Sequence, residues 1–486
     1  MGNPLLLVLG LAFTVSTSVL LLSRQASRDV ILNRLRFRRR RGSGSKTPPR
    51  SLSPGKDQPK EVECPDYSAI YPPSRRFVLA ETPGLSSKLR KTKAQIIATP
   101  EKKESLPITT ELNDVKKTMY TPCEFSVEEI STLGDFPDYA ALSGVPLPQP
   151  YHGFDINKAK PRPYRPFRWA YHQTMALTKM EPDWWLELEN TYAKRIKERQ
   201  ELFAKHGTSV MDALPGSQFA CKELMEMSLQ FLCARYPHYF RLDQEAMVFF
   251  NDILHTETDL NTTHPLHVLL NNVPEDYAIM MRDADNGYYT FRAGIICSAL
   301  GWNLGTKIGL SLSEIHKPIP DYKEKMQYFT KKPTDKAIQR GSWGLEVDQP
   351  LYMPPGDLHE NHRDVQMADL DISRCHLRVD WQTLRRMPLS GAVVFNFKAL
   401  FTPIQDFRDE PFVPALVLKV LNEGKRNLME YKNTWHVEHV VKPALEQYAK
   451  EQVEKGWVPA DWDVHTLDES PWYPGWEEKW HRDQGF

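Results

Sequence analysis

The chain has 486 residues, with 62 Lys+Arg against 62 Asp+Glu, so no global field steers it toward nucleic acid or acidic substrates. That length leaves room for one large domain or two small ones. Its six cysteines, Cys64, Cys123, Cys221, Cys233, Cys297 and Cys375, are scattered without a CxxC pair, a reducing-compartment pattern that implies no disulfide framework.

Pro4 to Leu22 is free of charged residues and about as long as the roughly 20 residues a membrane-crossing helix requires. Arg24, Arg28, Arg34, Arg36 and the block Arg38 to Arg41 follow it, and the positive-inside rule then puts the rest of the chain in the cytosol. Residues 1–23 are therefore expected to be a transmembrane signal anchor, with the endoplasmic reticulum as its membrane. A cleaved signal peptide is the competing reading, opposed by the missing basic start and the missing small-residue cleavage site. The sequon Asn261-Thr262-Thr263 would never meet the glycosylation machinery in that topology. Residues 24–120 are basic and rich in Pro and Ser, the composition of a disordered tether, and the arginine block is suited to anionic lipid.

A folded domain is expected over 121–430. Asp183 is a candidate N-cap ahead of Trp185, Leu188, Tyr192, Ile196 and Phe203, which recur at helical spacing. Ser217 is placed to cap a second helix with Leu224, Met227, Phe231 and Ala234 on its apolar face. Short strands are then predicted at Val248–Phe250, Leu266–Leu270, Tyr277–Met281 and Tyr288–Phe291, the last two joined by a turn over Asp283–Gly287 that contains Asn286-Gly287. Cys375–Thr383 and Val393–Thr402 complete an antiparallel sheet of about five strands with flanking helices, an α+β domain. Residues 431–486 carry Trp457, Trp462, Trp472, Trp476 and Trp480 among prolines. This extension reads as an extended strap docked on the domain, since exposed tryptophans in a free tail favour aggregation.

Between the hairpin and the closing strands lies Ile315-His316-Lys317-Pro318-Ile319-Pro320. Pro318 and Pro320 fix φ and cannot continue a helix, so one imidazole is delivered on a stiff backbone. That suits a metal ligand, and it suits an ordinary helix exit equally. The run Trp302 to Pro320 resembles the haem-dependent oxidative N-demethylase family, whose fungal members are HRQ-family proteins. Arg165-Pro166-Phe167, Pro182-Asp183-Trp184-Trp185-Leu186, Ala213-Leu214-Pro215-Gly216-Ser217 and the stretch Leu377 to Pro388 carry the same resemblance, over roughly residues 160–430. Trp381 in the closing motif and a long stretch from Gln327 to Arg374 depart from the pattern.

The resemblance implies a PAS-like fold enclosing haem b, oxidative N-demethylation of a small alkylamine, and electrons from a separate reductase. His316 is then the candidate proximal ligand, an ordinary role for a neutral imidazole. Arg378, Arg385 and Arg386 are candidates for the propionates, with carboxylate pairing or solvated faces as the alternative. A cationic amine calls for a carboxylate and an aromatic wall, which makes Glu275, Asp276 and Tyr277 the candidate catalytic residues, with Tyr288 and Tyr289 nearby. A strand-entry turn is the alternative for Glu275-Asp276. Other histidines cluster as His255, His264 and His267 beside Glu257 and Asp259, as His359 and His362, and as His436 and His439. None is set like HExxH or paired with a CxxC. No GxGxxG unit, P-loop or ferredoxin-like cysteine run is visible, so no nicotinamide, flavin or iron–sulfur site is expected in this chain. Two functions remain open: a membrane-anchored haem monooxygenase, or a non-catalytic haem- or ligand-binding PAS-like sensor or carrier.

Overall fold

The computed structural model describes Leu112 and residues 115–169, 177–283, 286–317 and 332–485. The expected anchor at 1–23 and the tether up to residue 111 lie outside those residues, as do Pro318 and Pro320. No helix among the described residues is long and apolar enough to cross a membrane.

In chain order the elements are α1 (Val127–Leu133), α2 (Tyr139–Ser143), β1 (Thr178–Lys179), α3 (Tyr192–His206), β2 (Met211–Ala213), α4 (Gln218–Arg235), β3 (Phe240–Asp243), β4 (Val248–Asn251) and β5 (Thr256–Asp259). They continue with α5 (Pro265–Asn272), β6 (Asp276–Arg282), β7 (Tyr289–Ile295), α6 (Leu312–Ile315), β8 (Ile338–Val347), β9 (Cys375–Arg386) and β10 (Val393–Pro403). The last four helices are α7 (Val413–Glu423), α8 (Arg426–Lys432), α9 (Trp435–Glu454) and α10 (Trp476–Asp483). The fold is α+β, but with a seven-stranded antiparallel sheet in the order β1-β8-β9-β10-β6-β7-β2 and a separate three-stranded sheet β3-β4-β5, not about five strands.

Both faces of the large sheet are covered. One carries Tyr277, Ile279, Val394, Leu377, Val379, Trp381 and Leu345 into a core shared with α4, α7 and α9. The other carries Ala278, Met280, Ile338, Leu384, Val393 and Phe395, covered by Leu304 and Leu312. A register shift between Ile279 and Met280 makes Met280 pair with Phe291 instead of Arg292. The extra residue in β7 turns Phe291 and Tyr289 to the second face while Ala293 and Ile295 stay on the first.

Four expectations need correction. Leu266–Leu270 lies inside α5, started by Pro265 and by His264, whose Nδ1 accepts from Leu266 N at 3.2 Å; a short apolar run does not distinguish helix from strand. Asp183 caps no long helix. It sits in a 3₁₀ turn, accepts from Gln149 N at 2.8 Å, and α3 begins only at Tyr192. Ser217 precedes α4 as expected, but its hydroxyl donates back to Leu214 O at 2.6 Å instead of capping. Residues past 430 are not only a strap: α9 buries Val437, Val441 and Leu445 completely.

The tail that follows α9 packs onto the domain. Trp472 stacks on Trp476 with ring centroids 4.2 Å apart and lies 4.5 Å from Tyr164, which stacks on Trp381 at 3.8 Å. Trp381 thus reaches the tail through Tyr164. Gly341 makes room for this layer, since a Cβ there would meet Pro166 at 2.9 Å and Trp381 at 3.1 Å. Arg165 forks onto Glu410 with both contacts at 2.6 Å, and its N–H donates to Pro471 O at 2.7 Å. The Arg165-Pro166-Phe167 opening therefore ties the start of the domain to its end through a buried bidentate pair.

Candidate functional site

The segment leading to His316 is sewn onto β7. Gly309 N donates to Phe291 O at 2.8 Å and Phe291 N donates to Leu310 O at 3.0 Å; Gly309, at φ +83°, makes the bend that only glycine adopts easily. Ser311 and Glu314 form a reciprocal capping box around α6. A single turn does not nucleate alone, so α6 depends on this box and on Leu312, buried in the second-face cluster. His316 closes the turn.

Its ring is oriented by the backbone. Nδ1 of His316 lies 2.8 Å from Leu312 O, so in the neutral ring Nδ1 carries the hydrogen and donates, and Nε2 carries the lone pair. Burial pushes the imidazole down to about 4, the Leu312 carbonyl opposes this, and the charges of Arg340 and Lys307 push it further down. A neutral imidazole whose Nδ1–H is held by a backbone carbonyl is the usual state of a histidine that binds metal through Nε2.

The sheet beneath carries Asp276, Phe397, Gln382 and Arg340 in one row across four strands. Register places Asp276 opposite Phe397, Phe397 opposite Gln382 and Gln382 opposite Arg340, so all four side chains share one face of β6, β10, β9 and β8. Arg340 is 3% exposed and its Nε donates to Gln382 Oε1 at 2.8 Å. Three inter-strand steps of about 4.8 Å put the ends of the row ~14 Å apart.

Strand alternation separates the acidic candidates. Asp276 is on the His316 side, where its Oδ2 accepts from Cys297 N at 2.9 Å, Ser298 N at 2.7 Å and Ser298 Oγ at 2.5 Å. Its Oδ1 takes Arg199. A carboxylate has about four acceptor positions, so these donors use the capacity of Asp276. The cleft beside it, lined by Arg195, Arg199, Ser298, Phe397 and Lys398, has a free volume of about 20 Å³, room for one water. Glu275 and Tyr277 lie on the opposite face. Glu275 accepts from Glu187 N at 3.0 Å and is pushed up to about 7 by burial, with Lys398 opposing. Tyr277 meets Ser228 Oγ at 3.2 Å and its phenol is raised far above the ordinary range by burial.

The three arginines are likewise not brought together. Arg378 holds Asp380, the carbonyl of Pro350 at 2.7 Å and that of Ser298. Arg386, on the same face but eight positions along β9, or ~26 Å at about 3.3 Å per residue, donates to Lys332 O at 2.8 Å, Gly391 O at 2.9 Å and Tyr289 Oη at 2.5 Å. Arg385 points through the other face, its guanidinium 4.2 Å from the Trp185 ring centroid.

Among the described residues no group of three or more His, Cys, Asp or Glu is arranged to hold a metal ion. His264 caps α5, His359 Nε2 lies 3.1 Å from Val347 O, and His439 Nε2 lies 2.8 Å from Met367 O. Burial pushes the Cys297 thiol up to about 12. Sequence reasoning missed Arg340 and Gln382. The readable signal was Trp343, Leu345 and Val347 alternating with Gly344 and Glu346 in a stretch given no strand.

The fold and site thus define an α+β protein that presents one oriented, neutral imidazole beside an apolar sheet face with a buried arginine. The model of the family described as haem-dependent oxidative N-demethylase, alpha subunit-like, matches residues 176–442, more than half of the chain, and the chain belongs to that family. The donor types that a haem would use are present on the second face: an imidazole at His316, a cation at Arg340, and apolar side chains at Ala278, Met280, Leu384 and Phe395.

Proposed function

We propose that this chain is a haem-dependent oxidoreductase that removes a methyl group from a small N-methyl amine, with His316 Nε2 holding haem b on the second face of a PAS-like sheet. The observation that carries this reading is the His316 ring, fixed by Leu312 O and kept neutral by burial. Haem, when bound, supplies one-electron and O₂ chemistry. The chain's own residues orient the ligand and exclude water: Leu312 packs α6 onto the sheet, and Met280, Phe291 and Phe395 form a dry floor. Arg340, a cation near His316, would offset the charge of a haem propionate.

In the net reaction the neutral N-methyl amine loses two electrons and a proton to give an iminium, and O₂ takes those two electrons, two more from the reductase and four protons to become two waters. Water adds to its carbon, and formaldehyde and the shorter amine leave. Electrons come from a separate reductase, and the apolar run Pro4–Leu22 anchors the chain beside it in this reading, facing the cytosol. The saturation of Asp276 by four donors favours a second reading, a haem-binding module without turnover, because neither Asp276 nor Glu275 is left to bind a cationic amine.

The test is to supply the haem-loaded full chain with a chemical reductant, O₂ and dimethylamine and to measure formaldehyde. Formaldehyde in proportion to methylamine supports the demethylase. A haem spectrum that dimethylamine does not perturb, with no formaldehyde formed, supports the binding module.

A further inference from the structure

The Arg385 side chain makes no hydrogen bond to any described residue. It is 7% exposed, its Nε is buried without a partner, and its guanidinium lies 4.2 Å over the Trp185 ring. Three other buried arginines have carboxylate partners, Arg162 with Glu187, Arg165 with Glu410 and Arg199 with Asp276, and Arg235 donates to Gln149 O at 2.8 Å. Among the described residues no carboxylate balances Arg385. Tyr277 alone opposes the effect of burial, which brings the guanidinium down to about 10, so Arg385 is still a cation at neutral pH.

A second orphan donor belongs to a residue that lines the same pocket. Trp185 is 3% exposed and its indole Nε1 is buried without an acceptor. Arg385 and Trp185 both line a small pocket walled by Val145, Pro146, Pro148 and Phe231, with a free volume of about 20 Å³. Leu147, another wall residue, is 43% exposed, which puts the mouth at the surface. The polar wall residues are committed elsewhere: Tyr139 Oη donates to Glu226 at 2.6 Å, and Gln230 Nε2 donates to the carbonyls of Phe136 and Pro137.

A buried donor left unmade costs about 1–3 kcal/mol, more for a charged group, and a buried charge needs a partner of opposite sign. The volume admits one water-sized body. We propose that this pocket binds a small monovalent anion of about chloride size, held by the Arg385 guanidinium and the Trp185 indole N–H. A neutral water would satisfy the donors but leave the charge uncompensated. The site lies on the opposite side of the sheet from His316 and does not depend on the haem reading.

The experiment is a thermal melt of the full chain in sodium chloride titrated against sodium gluconate at constant ionic strength, which holds general screening fixed. The expected result is a saturable rise in Tm with chloride that is absent in Arg385→Met, a variant expected to fold because it removes an uncompensated buried charge. Trp185→Phe keeps the ring and loses one donor, and should shift the chloride midpoint about tenfold higher, the value of one ~1.4 kcal/mol hydrogen bond. Bromide soaked into crystals should scatter anomalously at the pocket. Superimposed chloride and gluconate melts, an undiminished rise in Arg385→Met, or water in place of bromide would each overturn the proposal.

Discussion

Asp276 and Tyr277 adjoin in the chain and face opposite sides of β6: Asp276 Oδ2 accepts from Ser298 N at 2.7 Å, while Tyr277 Oη lies 3.2 Å from Ser228 Oγ behind the sheet. Two residues that look like one acidic-aromatic site therefore serve two environments. Removing each should have a different effect. Asp276→Ala leaves the Arg199 guanidinium buried and unpaired, which costs about 3–5 kcal/mol. Tyr277→Phe removes one neutral contact and should cost about 0.5–1.5 kcal/mol. Urea unfolding of the two variants checks the order, and equal losses would contradict it.

The buried carboxyls set a pH dependence. Burial pushes Glu275 and Glu223 up to about 7, whereas an unfolded glutamate titrates near 4.3. Between about 4.3 and 7 the folded state keeps protons that the unfolded state has released. Their contribution is therefore full below the unfolded value and is lost as pH rises through about 7. It amounts to roughly 4 kcal/mol per group at most. Stability by urea unfolding should be higher at pH 5 than at pH 8, and Glu275→Gln, which can still accept from Glu187 N, should flatten the difference. A Glu275→Gln profile parallel to the wild type would contradict the assignment.

The aromatic tail should be worth several kcal/mol at one tryptophan and almost nothing at another. Trp480 is 4% exposed and its indole donates to Lys160 O at 2.8 Å, so Trp480→Ala should cost about 3–5 kcal/mol. Trp457 is 44% exposed, and its replacement should stay within about 0.5 kcal/mol. Comparable melting temperatures for the two variants would show that the tail does not stabilise the domain.

Arg340 should affect the hold on haem without altering the ligand. Arg340→Met keeps the volume of a buried side chain and removes the cation beside His316. Haem should be lost to an apomyoglobin acceptor at least several-fold faster, with the position of the Soret band unchanged. A shifted band would place Arg340 in contact with the ligand field instead.

Much of the second half of the sheet was legible because its strands are long and end in clear turns. β6, β9 and β10 follow the runs around Tyr277, Val379 and Phe395 closely. β8 was not, because Gly341 and Gly344 interrupt its pattern and its neighbour in space, β9, is distant in sequence. Leu266–Leu270 misled because a buried helix face and a buried strand share composition. Within the site, His316 was visible from the prolines that follow it. Arg385 and Arg386 could not be sorted from sequence as to which face each takes, since that depends on the register of β9 against β10.

The central claim is that His316 holds a haem iron, and an absorption spectrum of the full chain after haem titration tests it most directly. A Soret band that saturates at one haem per chain, and that shifts and weakens in His316→Ala while the variant keeps the wild-type circular dichroism, is the predicted result. No Soret band in the wild type, or a band identical in His316→Ala, would contradict it.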